Sequence, residues 1–161
     1  SISANIHVLE ALITGGYAVE SDSVWKVIEF LRSRQYRGSW RDKWHLSPYY
    51  ATAHALIAYS GRFDDEWLRA MRWLTATQRA DGGWGFFGRS TAEETAYALQ
   101  ALGIWRRRHG LGPDGVTERG IAWLKEHAEP PYPPLWIGKC LYCPELVVQS
   151  AVLSALALGD E

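Results

Sequence analysis

Apolar residues recur along this chain in two different helical patterns. In residues 23–34, 65–77 and 116–127 the pattern is one-sided. Trp25, Ile28 and Leu31 share a face, while Lys26, Arg32 and Arg34 lie elsewhere. Trp67, Met71 and Leu74 repeat the arrangement. A period near 3.6 with one apolar stripe predicts amphipathic helices. Between them run segments of small and apolar residues with little charge, at 5–12, 52–59, 95–102 and, more weakly, 152–156. Helices of that kind are predicted to be covered on most sides. The chain therefore alternates inner, outer, inner, outer, inner, outer, inner.

The joins are marked by Gly, Asp and capping residues, as in Arg79-Ala80-Asp81-Gly82-Gly83. Ser21 to Ser23 can cap the first outer helix. Ser90 or Thr91 can cap the third inner helix, with Glu93 and Glu94 in its first turn. The turns after the outer helices repeat as well. Phe30-Leu31 leads to Gln35, Gly38, Ser39 and Trp40. Trp73-Leu74 leads to Gln78, Gly82, Gly83 and Trp84, with the two Gln 43 residues apart. A third copy starts at Trp123-Leu124, but Ala128 replaces the Gln and a Pro-rich stretch, 130–134, leads to Trp136. Mechanically, the glycines permit a tight reversal, and the Gln amide can satisfy free helix-end groups of a neighbouring repeat. The Trp can stack over it. Helix pairs that bury a face on the next pair build a solenoid or a ring. Four inner and three outer helices predict an all-α fold, a partial α/α toroid that closes only part of the circle.

Composition narrows the possibilities. A length of 161 residues suits one domain with a buried core. A net charge of −1 gives no basic footprint for nucleic acid. No apolar run is long enough for a transmembrane helix. Nine Trp exceed what a stable fold requires, so the surplus is expected to build something further. Cys140 and Cys143 form a lone C-x-x-C, read as reduced thiols in a packed segment, and a cytoplasmic location follows as the default. The chain opens on Ser1-Ile2-Ser3 without Met, which predicts a piece of something longer.

At these motifs the chain resembles a known superfamily. Gln35…Gly38-Ser39-Trp40 and Gln78…Gly82-Gly83-Trp84 are similar to the QW motifs of squalene–hopene cyclases and class II terpene cyclases. Asn5-Ile6-His7-Val8-Leu9-Glu10-Ala11-Leu12 resembles the segment that follows their catalytic motif. Arg89 to Ala98 and Leu135 to Pro144 resemble the bacterial class II diterpene cyclases of the copalyl diphosphate synthase type. The resemblance implies an α6-α6 barrel, the β domain, packed on a γ domain with the substrate cavity between. It also implies a reaction that begins when an Asp of a D-x-D-D motif protonates a terminal alkene, with geranylgeranyl diphosphate as substrate. This sequence contains no D-x-D-D. Asp64-Asp65 stands at the start of an outer helix, where acidic residues are expected anyway. Residues 1–161 are thus expected to be the C-terminal part of a β domain. The D-x-D-D region and the γ domain would lie in a missing N-terminal part or a companion fragment.

The resemblance also assigns residues. His7 matches the partner that holds the acid's proton in place, with Asn5 supporting it; the residue alone favours a core histidine bonded to a local carbonyl. Trp44, Tyr50, Tyr97, Trp136 and Tyr142 are candidates for an aromatic cavity wall, where ring faces attract a carbocation. The alternative for each is core packing. Lys139 is a candidate diphosphate ligand, against a solvated surface lysine. Arg106 to Arg108 more plausibly complement a helix C-terminus. No cofactor is expected in this chain, and Mg²⁺ would enter through the other domain. Two further readings stay open: a squalene/hopene-type triterpene cyclase and a non-catalytic binding toroid. The unpaired faces of the end helices predict a companion or a homodimer.

Overall fold

The computed structural model describes residues 1–59, 64–110 and 115–159. Seven helices carry the fold: α1 (Ile2–Thr14), α2 (Asp22–Arg34), α3 (Pro48–Ala58), α4 (Asp65–Ala76), α5 (Ala92–His109), α6 (Val116–Glu126) and α7 (Glu145–Gly159). A short antiparallel hairpin, β1 (Trp136–Ile137) and β2 (Leu141–Tyr142), precedes α7. The odd-numbered helices form the inner row, with α1 packed on α3, α3 on α5 and α5 on α7. The outer helices α2, α4 and α6 back α1, α3 and α5 in turn. No interface of comparable weight joins α1 to α7 among the described residues, so the row is an open arc.

The inner row is close-packed because its residues are small. Ala51, Thr52, Ala53, Ala55, Leu56 and Ala58 of α3 are buried, as are eleven residues of α5 from Ala92 to Trp105. The outer helices bury one face each, through Val24, Ile28 and Leu31, then Trp67, Ala70 and Leu74, then Gly120, Trp123 and Leu124. The stripe of α2 differs by one position from the expected one. Val24 takes the core, and Trp25 stays half-exposed beneath the Arg32 guanidinium, 5.1 Å from the ring centroid. The cation–π contact and the stem of Arg32 cover the indole without burying it.

The two Gln–Gly–Trp turns act as staples. The Trp40 indole N–H donates to the Leu31 carbonyl at 2.7 Å, and that of Trp84 donates to Leu74 at 2.8 Å. Each closes an orphan carbonyl near the end of the preceding outer helix. The backbone N–H of each Trp donates to a Thr hydroxyl of the next inner helix, Thr52 or Thr95, at 2.9 Å. The Gln amide reaches forward instead. Gln35 donates to Glu66 O at 2.6 Å and Gln78 to Val116 O at 2.8 Å, both in the first turn of the next outer helix. Arg69 and Arg119 hold the Gln oxygens in the same way. The Gln and Trp hydrogen bonds of each turn thus run in opposite directions. Gly38 and Gly82 have φ of 83° and 97°, and an added Cβ would lie 3.0 and 2.8 Å from the carbonyls of Arg69 and Arg119. Only glycine fits both the turn and that approach.

Several expectations resolve here. Thr91 caps α5, accepting from the Glu94 N–H, whereas the Ser21 hydroxyl makes no cap bond to α2. Asp64 is the N-cap position of α4, and the arginine run ends α5. The surplus of Trp serves mainly the scaffold, since Trp40, Trp67, Trp84, Trp105 and Trp123 are all buried in the core. The arc's ends expose apolar side chains, Val8 on α1 and Leu146, Val147 and Leu153 on α7. Among the described residues no helix is long and apolar enough to cross a membrane.

Trp40→Phe removes the indole donor and leaves the Leu31 carbonyl buried without it. We expect a loss of about 2 kcal/mol in equilibrium urea unfolding, from the orphaned acceptor together with the lost ring volume. A change below about 0.5 kcal/mol, the scale of an ordinary surface substitution, would contradict the staple.

Candidate functional site

The N-terminal ends of α3 and α5 bring a cluster of rings together. Ser47 caps α3, its hydroxyl accepting from the Tyr49 N–H at 3.2 Å, with Pro48 at the first helical position. This sets Tyr50 in the first turn, facing α5. Thr91 and Glu94 form a reciprocal cap on α5, and Glu94 also accepts from the Phe86 N–H. Glu94 is thereby used by the turn. Its neighbour Glu93 points inward, one helical turn before Tyr97. A ladder of backbone bonds, Leu46 N to Leu135 O and Ile137 N to Trp44 O, both 2.9 Å, lays Trp136 against His45.

The resulting cluster contains His7, His45, Tyr50, His54, Tyr97 and Trp136. Tyr50 is its hub: ring centroids lie 5.0 Å away at His45, 4.5 Å at His54, 5.5 Å at Tyr97 and 5.0 Å at Trp136. The His45 contact is stacked and those with Tyr97 and Trp136 are edge-on. His7 comes from α1, its Nε2 3.4 Å from the Tyr50 hydroxyl and its Nδ1 3.5 Å from Glu10. Below the rings lies Glu93, whose Oε1 accepts from Trp136 Nε1 at 2.7 Å, His45 Nε2 at 3.2 Å and the Tyr97 hydroxyl at 3.3 Å. The layers differ in exposure. His45, Glu93 and Tyr97 are buried, Tyr50, His54 and Trp136 are partly covered, and His7 is exposed.

Burial and charge tune the protons of this cluster. Burial raises the Tyr97 phenol far above its ordinary value, and the charge of Glu93 adds to that. Burial also raises Tyr50, with Asp42 and Glu93 contributing. Both hydroxyls therefore keep their protons at neutral pH. Burial lowers His54, against the opposing bond from its Nδ1 to the Tyr50 carbonyl at 2.9 Å. A neutral His54 donates from Nδ1 and leaves Nε2 as an acceptor. The site thus offers electron-rich faces and protonated hydroxyls.

The other expected residues surround this cluster. Asn5 donates to the Ser1 carbonyl at 2.8 Å and does not meet His7. Trp44 is exposed, with the Lys43 ammonium 4.7 Å over its ring, and reaches the site only through its backbone carbonyl. Tyr142 pairs with Trp136 across the hairpin and is exposed, and Lys139 is exposed at the hairpin turn. Cys140 is exposed at the same turn and Cys143 is half-buried, so the thiols do not share one packed environment. Burial, with help from Glu93 and Glu145, raises the Cys143 thiol. Among the described residues no group of three or more His, Cys, Asp or Glu is placed to hold a metal ion.

Three members of the cluster were missed in the sequence: His45, His54 and Glu93. His54 follows Tyr50 by four residues and Glu93 precedes Tyr97 by four, the spacing of one helix face. The doublet Glu93-Glu94 behind a single capping Thr was the available signal, because one cap needs one carboxylate. His45 carried no such signal, since a strand-like ladder brings it in.

The chain belongs to the squalene-hopene cyclase C-terminal domain family, whose model matches residues 2–133. It is 52% identical along its whole length to the type B diterpene cyclase of Mycobacterium tuberculosis, covering 33% of that protein. It is 38% identical over 98% of its length to the ent-copalyl diphosphate synthase of a Streptomyces species, covering 32% of it. The solved ent-copalyl diphosphate synthase from Streptomyces platensis superposes with a TM-score of 0.83 at 40% identity, over all of this chain and 34% of that one. The chain therefore spans about a third of the length of the relatives it matches.

The depressed His54 gives a pH signature. The folded chain favours neutral His54, so on acidification the unfolded chain protonates first. Its contribution to stability is intact above about pH 6.5, the ordinary histidine value, and declines below it until the folded residue also protonates. Thermal melts of wild type and His54→Gln between neutral and mildly acidic pH check this. The variant should lose less melting temperature over that range, and parallel slopes would contradict the assignment.

Proposed function

We propose that this chain forms part of the cavity wall of a class II diterpene cyclase. The enzyme it belongs to would protonate geranylgeranyl diphosphate at its terminal alkene and close it to a bicyclic, copalyl-type diphosphate. The observation that carries this reading is the cluster of rings around Tyr50, gathered at one end of the inner helices. A carbocation needs electron-rich walls without a nucleophile, and ring faces supply about 0.5–2 kcal/mol each. The names of the relatives support the diterpene reading over a triterpene cyclase or a binding toroid.

The roles follow from position. The general acid is the Asp of a D-x-D-D in another part of the protein or in a companion fragment. The proton passes from its carboxyl to the alkene carbon, the π electrons form the new C–H bond, and after ring closure the bicyclic cation loses a proton from a neighbouring carbon to water or a base, which leaves the neutral alkene. His7, set against the Tyr50 hydroxyl, holds the acid's proton on the productive oxygen and steadies the carboxylate left behind. Asn5 steadies the start of α1, one turn earlier. Tyr50, Tyr97 and Trp136 form the inner wall, with Trp44 and Tyr142 at its rim. Lys139 meets the diphosphate, which survives the reaction, and Mg²⁺ is held by acidic residues of the other domain. The apolar side chains left exposed on α1 and α7 are covered by the rest of the cyclase.

Two assays test this. The purified 161-residue chain should form no bicyclic diphosphate from geranylgeranyl diphosphate, because the acid lies outside it; product formation would overturn the division of labour. In the full-length protein, His7→Ala should lower turnover by about 100-fold or more, the lower end of what proton-transfer groups contribute. Unchanged turnover would remove His7 from the acid site.

A further inference from the structure

Glu93 has no exposed surface, and the roles above do not use it. Its Oε1 takes all three bonds, from Trp136, His45 and Tyr97. Its Oε2 is buried as well and has no hydrogen-bond partner among the described residues. An indole N–H can only donate. Nδ1 of His45 lies 3.1 Å from both the backbone N–H and the carbonyl oxygen of Ser47, and its Nε2 lies 3.2 Å from Oε1 of Glu93. The Trp136 bond, at 2.7 Å, has the length of a charge-assisted contact to a carboxylate. The donor set therefore matches the carboxylate, and no Lys or Arg among the described residues pairs with it.

A buried carboxylate with no Lys or Arg beside it, and only the His45 ring as a possible cation, is costly to keep. Its placement relative to the rings gives that cost a use. Each of its three bonds comes from the polar edge of an aromatic ring. Such bonds draw the N–H and O–H dipoles toward the carboxylate and leave the ring faces more electron-rich. The charge also reaches outward, opposing ionisation of Tyr97 and Tyr50 after burial has done so first.

We infer that Glu93 is the buried counter-charge of the carbocation: an anion held behind the ring wall, polarising the buried Tyr97 and His45 and the partly covered Trp136 toward a cation on the outer side of that wall. It is a positioning residue and forms no bond to the intermediate. The covering rings keep Oε2 from capturing the cation as an ester. This inference rests on the cyclase reading and specifies the electrostatics of the same wall.

The test compares two ligands of the full-length protein by calorimetry. One is a geranylgeranyl diphosphate analogue with a tertiary ammonium at a cationic carbon, and the other is its uncharged carbon isostere. Wild type prefers the ammonium. Glu93→Gln keeps shape and volume, and it lowers that preference about tenfold or more, the equivalent of one strong cation–π contact. Glu93→Asp restores most of it, and affinity for the isostere stays level across the set. A wild type without preference would sink the cyclase wall itself. A wild-type preference retained in Glu93→Gln would overturn only the role of Glu93. Should Glu93→Gln fail to fold, the Trp136 indole proton in wild type reads the same point by NMR. It should shift on binding the ammonium and not the isostere, and equal shifts would overturn the inference.

Discussion

The arrangement depends on two indole N–H groups. Trp40 and Trp84 each close the end of one outer helix while their backbone N–H groups bind a Thr of the next inner helix. The bonds are short and buried, so they carry more than a solvent-exposed bond would. They fix how far α3 stands from α2, and α5 from α4. The N-terminal turns of α3 and α5 then fall side by side, and every inner-wall ring follows from that. Tyr50 is in the first turn of α3, Glu93 is in the first turn of α5 and Tyr97 follows it by one turn, with Glu93 the deepest of the three.

The third turn shows what happens when the staple is lost. Ala128 stands where Gln is needed, and the Pro-rich stretch keeps the chain extended. Trp136 no longer closes the end of α6. Its indole N–H turns to Glu93 instead, and its backbone joins the ladder with His45. One residue type thus serves two ends: twice it locks the scaffold, and once it lines the site. The hairpin that carries it also presents Tyr142 and Lys139 on the exposed side.

Much of this was legible in the residues. The alternation of uncharged and one-sided helices gave seven elements in the right order, because burial imposes period and charge content directly. The Gln–Gly–Trp spacing located the turns, though the directions of the Gln and Trp bonds were not readable. Spacing shows which groups meet and leaves their donor geometry undetermined. Trp25 misled because an amphipathic stripe is wide enough to hold Val24 or Trp25 at its centre. In the site, His7, Tyr50, Tyr97 and Trp136 were named beforehand and converge. His45 was not, since only a non-local backbone ladder brings it in. Glu93 was read as a first-turn acid, a role that Glu94 fills.

On the proposed reading, the rings are the wall of a reaction chamber, with His7 at its edge and Glu93 behind it. That proposal requires chemistry at this wall to begin with a proton and not with loss of diphosphate. The most direct measurement is turnover of geranylgeranyl diphosphate by the full-length protein in D₂O, followed by mass spectrometry of the product. The account predicts one deuterium on carbon and an intact diphosphate. Release of pyrophosphate, or a cyclic product without deuterium, would contradict it.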